Sequence, residues 1–565
     1  MKKVLLPFLI IFFGLFLIYP LSILLSGAFF IEAEGGTRTF SLQYFQVIFE
    51  NPFYRECFQN SLVIAVLTTI ACLLIAVPLA YFFLRCQFPG KLILSTLLLV
   101  PLILPPFVGA IGLKQFFARF GSLNLLLSEF GLVDLQNPPD WFGSGGFIGI
   151  ILLQVLHLYP IMYLSVQAAL ANLDPSLRDA ARNLGAGGWR IFRSVTFPLA
   201  LPGIFAGSSI VFVAAFTDLG VPLMFDFQTT VPSQIFNLVT QSDNPLGYAL
   251  VVLTLILVSV LFLIGKKFGE GNFAMMGRSA SYDDTTKLVG WKGYAVTAGV
   301  LLLIGISLLP HIGVIIQSFS AKWFMSVMPS EYSVEYYKEV FSLPLTLNSM
   351  RNSLIYATSS AMFDLVLGLG IAYLLARENF RGKAVLDVVS MLPLALPGLV
   401  LAFAFYVAFS RPPFNAISWI DPRNNPTLLL IIAYSIHRLP YIVRSAYAGF
   451  QQTSVNLEEA SANLGCPPWK TLLKISLPLI SANLIAGTIL TFSFAMLDVS
   501  NGMILAQEGS FYPVTKAIYA LMGRITPTAP AIACALGVLA MAFLALSLYG
   551  ASKLLGNKMG QLFKA

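Results

Sequence analysis

Two aspartates and two histidines recur at a fixed spacing within apolar sequence. Asp218 and Asp498 lie 280 residues apart, and so do His157 and His437, each three residues ahead of a proline, Pro160 and Pro440. A carboxylate inside a membrane-spanning run costs about 2.5–3.5 kcal/mol on insertion scales, so such residues default to functional candidates. Two carboxylates near a common axis would attract a cation or form a hydrogen-bonded gate. The alternative is that each sits near a helix end, capping it or reaching water. A histidine pair can ligate a metal or sense protons, whereas a lone histidine in a helix bundle simply hydrogen-bonds a neighbour. Asp218, Asp498, His157 and His437 are therefore the candidates for lining a polar path, with no firm metal set among them. Arg438 has no counterpart in the first copy, which carries Leu158, and needs a carboxylate or a cavity. Cys57, Cys72, Cys86, Cys466 and Cys534 are scattered without a CxxC pair, which supports neither a disulfide framework nor a metal cluster.

A longer polar stretch is also written twice. Asp179–Leu201 reads DAARNLGAGGWRIFRSVTFPLAL and Glu459–Ser481 reads EASANLGCPPWKTLLKISLPLIS. Asp179, Ala180, Ala181, Gly185 and Trp189 mark the first copy; Glu459, Ala460, Gly465 and Trp469 mark the second. Asp174-Pro175-Ser176 is a helix start with proline in the first turn. The pattern predicts a helix over Leu177–Leu184 that ends at Gly185, which can take the left-handed cap, and a second short helix over Trp189–Val195. Pro198 and Pro202 then precede the next apolar run. The second copy breaks at Gly465 and restarts after Pro467-Pro468. Two short capped helices joined at a glycine move as rigid pieces, so each copy is suited to transmit a push from a docked partner.

These segments are set between long apolar runs. The chain has 565 residues, of which 57% are apolar and only 11% charged, and its mean hydropathy is +0.81. Soluble domains carry about 25% charged residues, so most of this surface must face lipid or other helices. A spanning helix needs about 20 apolar residues. Twelve runs qualify, at 4–28, 61–85, 92–115, 146–170, 201–225, 248–266, 292–318, 353–376, 385–409, 428–450, 483–505 and 529–552. The first follows Met1-Lys2-Lys3 and is read as a retained helix rather than a cleaved signal. With the N-terminus cytoplasmic, 21 Lys and Arg residues fall on the inner side and 11 on the outer. The positive-inside rule then puts both termini and both polar segments in the cytoplasm. The net charge of +8 is accounted for by topology, and no nucleic-acid partner is implied.

The duplication continues beyond the polar segments. Asn60-Ser61-Leu62 matches Asn352-Ser353-Leu354, Arg85 through Lys91 matches Arg377 through Lys383, and Pro101 and Pro105 match Pro393 and Pro397, all 292 apart. The later matches are 280 apart, so the first half carries about twelve more residues between its third and fourth helices. Six helices per half make the repeats parallel rather than inverted. The expected fold class is all-α: a polytopic membrane protein of about 12 transmembrane helices in two parallel six-helix repeats. The first half is 1–266, with its polar segment at 174–198. A Gly/Ser-rich cytoplasmic linker, 267–291, follows as a plain tether, and the second half is 292–565, with its segment at 454–478. Pro101, Pro105, Pro106, Pro393 and Pro397 inside apolar runs predict paired bends, open to a structural or a gating role.

At the polar segments the chain resembles the EAA-loop signature of type I ABC-importer permeases, the binding-protein-dependent inner-membrane component. The pattern is Glu-Ala-Ala, three residues, Gly, then about nine to an apolar-x-Leu-Pro, and both copies fit. Asp179 stands for the Glu and Ser461 for the second Ala; the shorter acid implies a weaker ion pair in the first half. Fused permeases of this size include ferric-iron, thiamine and 2-aminoethylphosphonate importers, and the chain most resembles the ferric-iron-type group. The resemblance implies a permease of the cell inner membrane carrying solute supplied by a periplasmic or lipid-anchored binding protein. Ferric iron is the foremost candidate, with 2-aminoethylphosphonate, thiamine or a polyamine as alternatives. It also implies a dimer of separate ABC ATPase subunits under the two polar segments. Those subunits would bind ATP and Mg, leaving no cofactor in this chain.

The residues agree with a chain that draws its energy elsewhere. No GxxxxGK[ST] phosphate loop is present, since Gly90-Lys91-Leu92, Gly265-Lys266-Lys267 and Gly382-Lys383-Ala384 all fail it. HExxH and GxSxG are absent as well, which argues against a membrane-embedded enzyme. An ion-coupled secondary transporter with parallel repeats is the more distant alternative, and it leaves the two polar segments without a purpose.

Overall fold

The computed structural model describes residues 2–32, 38–102, 105–239, 245–269, 286–288 and 290–555. Most of the expected linker lies outside them. Helices occupy all twelve expected positions. Among the described residues eight are long and apolar enough to cross a membrane: Lys2–Phe29, Pro52–Arg85, Phe147–Ala171, Gly188–Met224, Trp291–Ser318, Pro344–Arg377, Pro468–Met496 and Ala529–Gly550. Two bent pairs raise the number to ten. The remaining positions hold Pro245–Gly269, whose apolar part is short, and Thr427–Gln452, which carries His437, Arg438 and Arg444. The protein is an all-α polytopic membrane protein built from two repeats.

The prolines decide where these helices bend. The third run of each half is a broken pair: Lys91–Leu102 meets Pro106–Glu129 at 96°, and Lys383–Ala395 meets Gly398–Phe409 at 103°. Proline lacks the amide donor and its ring collides with the carbonyl four residues back. A milder solution appears three times. The wide π turns Gly14–Ile18, Phe192–Thr196 and Leu472–Ser476 each end two residues before a proline, at Pro20, Pro198 and Pro478. In each case the carbonyl that would collide lies inside the π turn, whose larger ring makes room. The short second helix of each polar segment therefore runs through the proline directly into the fifth span, where a break was expected.

The compact units do not follow chain order. One comprises Met1–Asn51, Gln234–Leu255 and Glu335–Ala565; the other comprises Pro52–Ser233 and Ile256–Val334. In the first unit the N-terminal helix packs on the second half's broken third span, with Phe16 stacked on Phe409 and Tyr19 edge-on to it at ring separations of 5.7 and 6.2 Å. Lys2 donates to the Asn379 carbonyl at 3.0 Å. In the second unit Trp291–Ser318 packs on Pro106–Phe117. The residues just ahead of it, Thr286 and Lys287, pair in parallel with Cys86 and Gln87 at the end of Pro52–Arg85. The last residues of the linker are thus stitched to the first half.

The Trp291–Ser318 crossing is unusually close. A Cβ on Gly112 would overlap the Pro310 carbonyl oxygen, and one on Gly313 would lie 2.7 Å from the Gly112 Cα. Helices meeting in lipid approach this closely through small residues, because packing replaces the hydrophobic drive. Gly112→Val is expected to force the pair apart. The loss is at least about 3 kcal/mol, the upper end of overpacking costs, since backbone atoms cannot rotate away. A thermal unfolding midpoint in detergent equal to that of the unaltered chain would refute the contact.

Candidate functional site

The first polar segment begins where sequence placed it. The Asp174 carboxylate accepts from the Ser176 N–H at 2.9 Å and caps the Pro175–Asn183 helix. That backbone bond holds its carboxyl below the usual range. Ser454 caps Val455–Asn463 in the same way, accepting from Asn456 N–H at 3.3 Å. Both helices end on a left-handed glycine, Gly185 at φ 80° and Gly465 at φ 78°. The Ala186 N–H then reaches back to the Ala181 carbonyl (3.0 Å) and the Cys466 N–H to that of Ser461 (3.1 Å). This closed return is the Schellman ending, which satisfies carbonyls the helix leaves open.

The caps fix what the segments present. Leu184 and Leu464, immediately before the glycines, are 89% and 88% exposed, and Trp189 and Trp469 are exposed too. Asp179 pairs with Arg182 of its own helix at 3.5 Å, with both half-exposed; such a pair contributes little. An apolar tip ringed by charged residues, on two rigid helices, can dock into a partner without folding again.

Of the two readings of the repeated acids, the structure shows the one at a helix end. The apolar runs 201–225 and 483–505 are not single helices. They end at Phe216 and Met496, and Asp218 and Asp498 lie in the breaks before the short helices Gly220–Met224 and Ser500–Leu505. Asp218 Oδ1 accepts from the Gly220 N–H at 3.0 Å, and Asp498 Oδ1 accepts from the Asn501 N–H at 2.9 Å. An aspartate that binds backbone two or three residues ahead starts the next helix, which is why the run divides there. Their second oxygens meet different chemistry. Gln154 Nε2 donates to Asp218 at 3.2 Å, and Thr68 donates to Gln154 Oε1 at 3.2 Å, so that chain is neutral apart from the acid. Asp498 instead receives Arg438 at 3.3 Å and Asn501 Nδ2 at 3.0 Å.

The histidines abut the proline breaks, each within its own unit. His157 Nδ1–H donates to the Pro101 carbonyl at 2.9 Å, a carbonyl at the break of the third span. A Cβ on Gly398, at the break in the other half, would lie 2.9 Å from His437 Cε1. The His311 imidazole, on Trp291–Ser318 of the same unit, lies within electrostatic reach of His157. Among the described residues no group of three or more His, Cys, Asp or Glu side chains is placed to hold a metal ion.

Several residues that organise these regions escaped the sequence reading. Asn60 and Asn352 donate to the carbonyls of Thr229 (3.0 Å) and Ser510 (2.8 Å). Ser61 and Ser353 accept from the amides of Val231 (2.9 Å) and Val514 (2.8 Å). The repeated Asn-Ser pair therefore latches the chain between the fifth and sixth spans onto the second span in both halves. Its duplication was visible; its target was not. Asp364 is fully buried, accepts from Ser435 and lies within electrostatic reach of Arg438. A single acid inside the run 353–376 was the signal for it, but the matching residue of the first half is Cys72, so no repeat drew attention to it. Lys516 is buried as well, donating to the Met503 carbonyl at 2.7 Å.

Comparison with known proteins agrees with this architecture. The chain is 26% identical over 510 residues to the putative ferric transport system permease protein FbpB 1 of Haemophilus influenzae, covering 87% of this chain and 76% of that protein. It is 26% identical over 506 residues to the ferric transport system permease protein FbpB of Actinobacillus pleuropneumoniae, covering 87% and 69%. The thiamine transport system permease protein ThiP of Escherichia coli is 24% identical over 430 residues, covering 73% of each chain. A family model described as the binding-protein-dependent transport system inner membrane component matches twice, at residues 63–273 and 365–558, once over each repeat. With two copies of that model over most of its length, this chain belongs to the family of binding-protein-dependent transport system inner membrane components.

Proposed function

We propose that this ABC-importer permease carries ferric iron, with its ATPase partner docked on Asp179–Trp189 and Glu459–Trp469. The observation that supports the docking is the pair of matched segments, each presenting an exposed leucine (Leu184, Leu464) beside a left-handed glycine. Two equivalent knobs suit a twofold partner. An ATPase dimer that binds ATP and Mg would pull on both when it closes and release them after hydrolysis. The charge bias between loops favours both termini and both knobs in the cytoplasm. A periplasmic or lipid-anchored binding protein would then deliver solute on the opposite face.

Ferric iron is favoured because two relatives whose names carry ferric transport align along 87% of the chain. Thiamine is the second reading, resting on a relative aligned over 73%. In this reading Asp218 and Asp498 act by holding the short helices that follow the fifth spans, and His157 and His437 by bracing the breaks in the third spans.

The test is reconstitution of the chain with the ATPase and binding protein encoded beside it, in vesicles loaded with ATP or left empty. ATP-dependent accumulation of radioactive ferric iron is expected. Accumulation of thiamine but not iron would overturn the substrate. Uptake that ignores ATP and collapses with an uncoupler would overturn the importer mechanism.

A further inference from the structure

The two polar segments are not held to their halves in the same way. In the second half, Arg377 closes the Pro344–Arg377 helix. Its Nε donates to Glu458 Oε2 at 3.0 Å, and one Nη donates to Thr453 at its carbonyl (3.1 Å) and its hydroxyl (2.9 Å). The guanidinium plane also lies over the Phe450 ring, 5.4 Å from its centre. The other oxygen of Glu458 accepts from the Ser476 hydroxyl at 2.8 Å. Arg377 and Glu458 are only 10% and 16% exposed. Beneath them Phe450, Leu472 and Ile480 form a closed apolar cluster with Ala372 and Ala446.

The Arg377–Glu458 pair thus joins the first helix of the polar segment to the ends of the second, fourth and fifth spans. A largely buried, multiply hydrogen-bonded Arg–Glu pair resists opening, because separating it leaves a charge without its partner in a poorly solvated place. The first half cannot build this pair. Arg178 stands where Glu458 stands, Leu173 where Thr453 stands and Leu170 where Phe450 stands.

We propose that Arg377 and Glu458 are the positioning pair of the second segment, making Val455–Asn463 move as one piece with the spans it contacts, while the first segment relies on other contacts. This rests on the reading that the segments receive the ATPase, but its first test needs no partner. Amide hydrogen exchange is measured on the full chain in detergent. Glu458→Gln is expected to speed exchange across 455–466 by about tenfold or more while leaving 175–186 unchanged, because local opening governs exchange. Arg377→Lys keeps the charge but loses the fork, and is expected to fall between the two. The exchanged pair, Arg377→Glu with Glu458→Arg, is expected to regain much of the protection.

Unchanged exchange in Glu458→Gln, or equal acceleration in both segments, would overturn the proposal. The second test uses the complex with its ATPase. Glu458→Gln is expected to retain the ATPase and hydrolyse ATP while uptake falls about tenfold, the mark of lost transmission rather than lost docking. Uptake unchanged beside intact hydrolysis would also overturn it. If the unaltered chain retains no ATPase at all, the functional reading fails while the exchange result still decides the clamp.

Discussion

Proline at both Gly185 and Gly465 is expected to strip the ATPase from the purified chain and reduce ATP-driven uptake to that of protein-free vesicles. Both glycines hold φ near +80°, and proline is confined to about −65°. The return from Ala186 to Ala181, and from Cys466 to Ser461, cannot form around it. Misplaced proline costs a helix about 3 kcal/mol or more, beyond what a nine-residue helix can absorb where it is short of tertiary support. Leu184 and Leu464 would lose their fixed direction. The alanine pair is the control. Nothing lies within 4 Å of a Cβ at either position, so alanine meets only the left-handed penalty of about 1–2 kcal/mol and is expected to keep partial binding. Co-purification of the ATPase, scored against a tagged chain, is the measurement. A proline pair that binds as well as the alanine pair would remove the segments from the docking surface.

The second large effect separates two residues that the sequence makes equivalent. Asp498→Asn is expected to destabilise the chain by about 3 kcal/mol, the lower end of the cost of breaking a buried ion pair. Arg438 would keep its charge, beside Asp364 and the face of Phe494, without the carboxylate it now meets. Asp218→Asn is expected to cost about 1 kcal/mol or less, because no opposite charge is left unpaired and one hydrogen bond is exchanged for another. Its neighbour Gln154 can turn its amide to accept where it had donated, and Thr68 can donate or accept. Replacing Arg438 by leucine in the Asp498→Asn background is expected to recover much of the loss, since the asparagine keeps an oxygen for the Asn501 N–H and no buried charge is left without its partner. Unfolding midpoints in detergent measure all three. Equal losses for the two asparagine variants would show that the Arg438 pair is not what holds Asp498.

The duplicated segments, their capping residues and the proline breaks were legible because each is a local instruction. Asp174 or Ser454 before a helix, glycine after it and proline inside a run act within one or two turns. The repeated spacing also marked Asp218 with Asp498, and His157 with His437, as equivalent positions of the two halves. Of the two positions open to the aspartates, inside a span or capping a helix end, hydropathy could not choose. The runs are apolar on both sides of the break, so hydropathy alone continues through it, and only the carboxylate binding forward to Gly220 or Asn501 ends one helix and starts the next.

The sequence by itself determined the membrane class, the two repeats and the two capped polar segments, because apolar length, periodic duplication and caps are carried by neighbouring residues. Tertiary structure decided the rest. It placed the N-terminal helix in one unit with the second half, and Trp291–Ser318 in one unit with the first. It also gave Asn60 and Asn352 their carbonyls, Arg438 its acid and Arg377 its carboxylate. These partners stand 60 to 169 residues apart along the chain. In a bundle of similar apolar helices, which polar atom meets which is set by the packing that brings backbones together at sites such as Gly112, and no local pattern encodes that meeting.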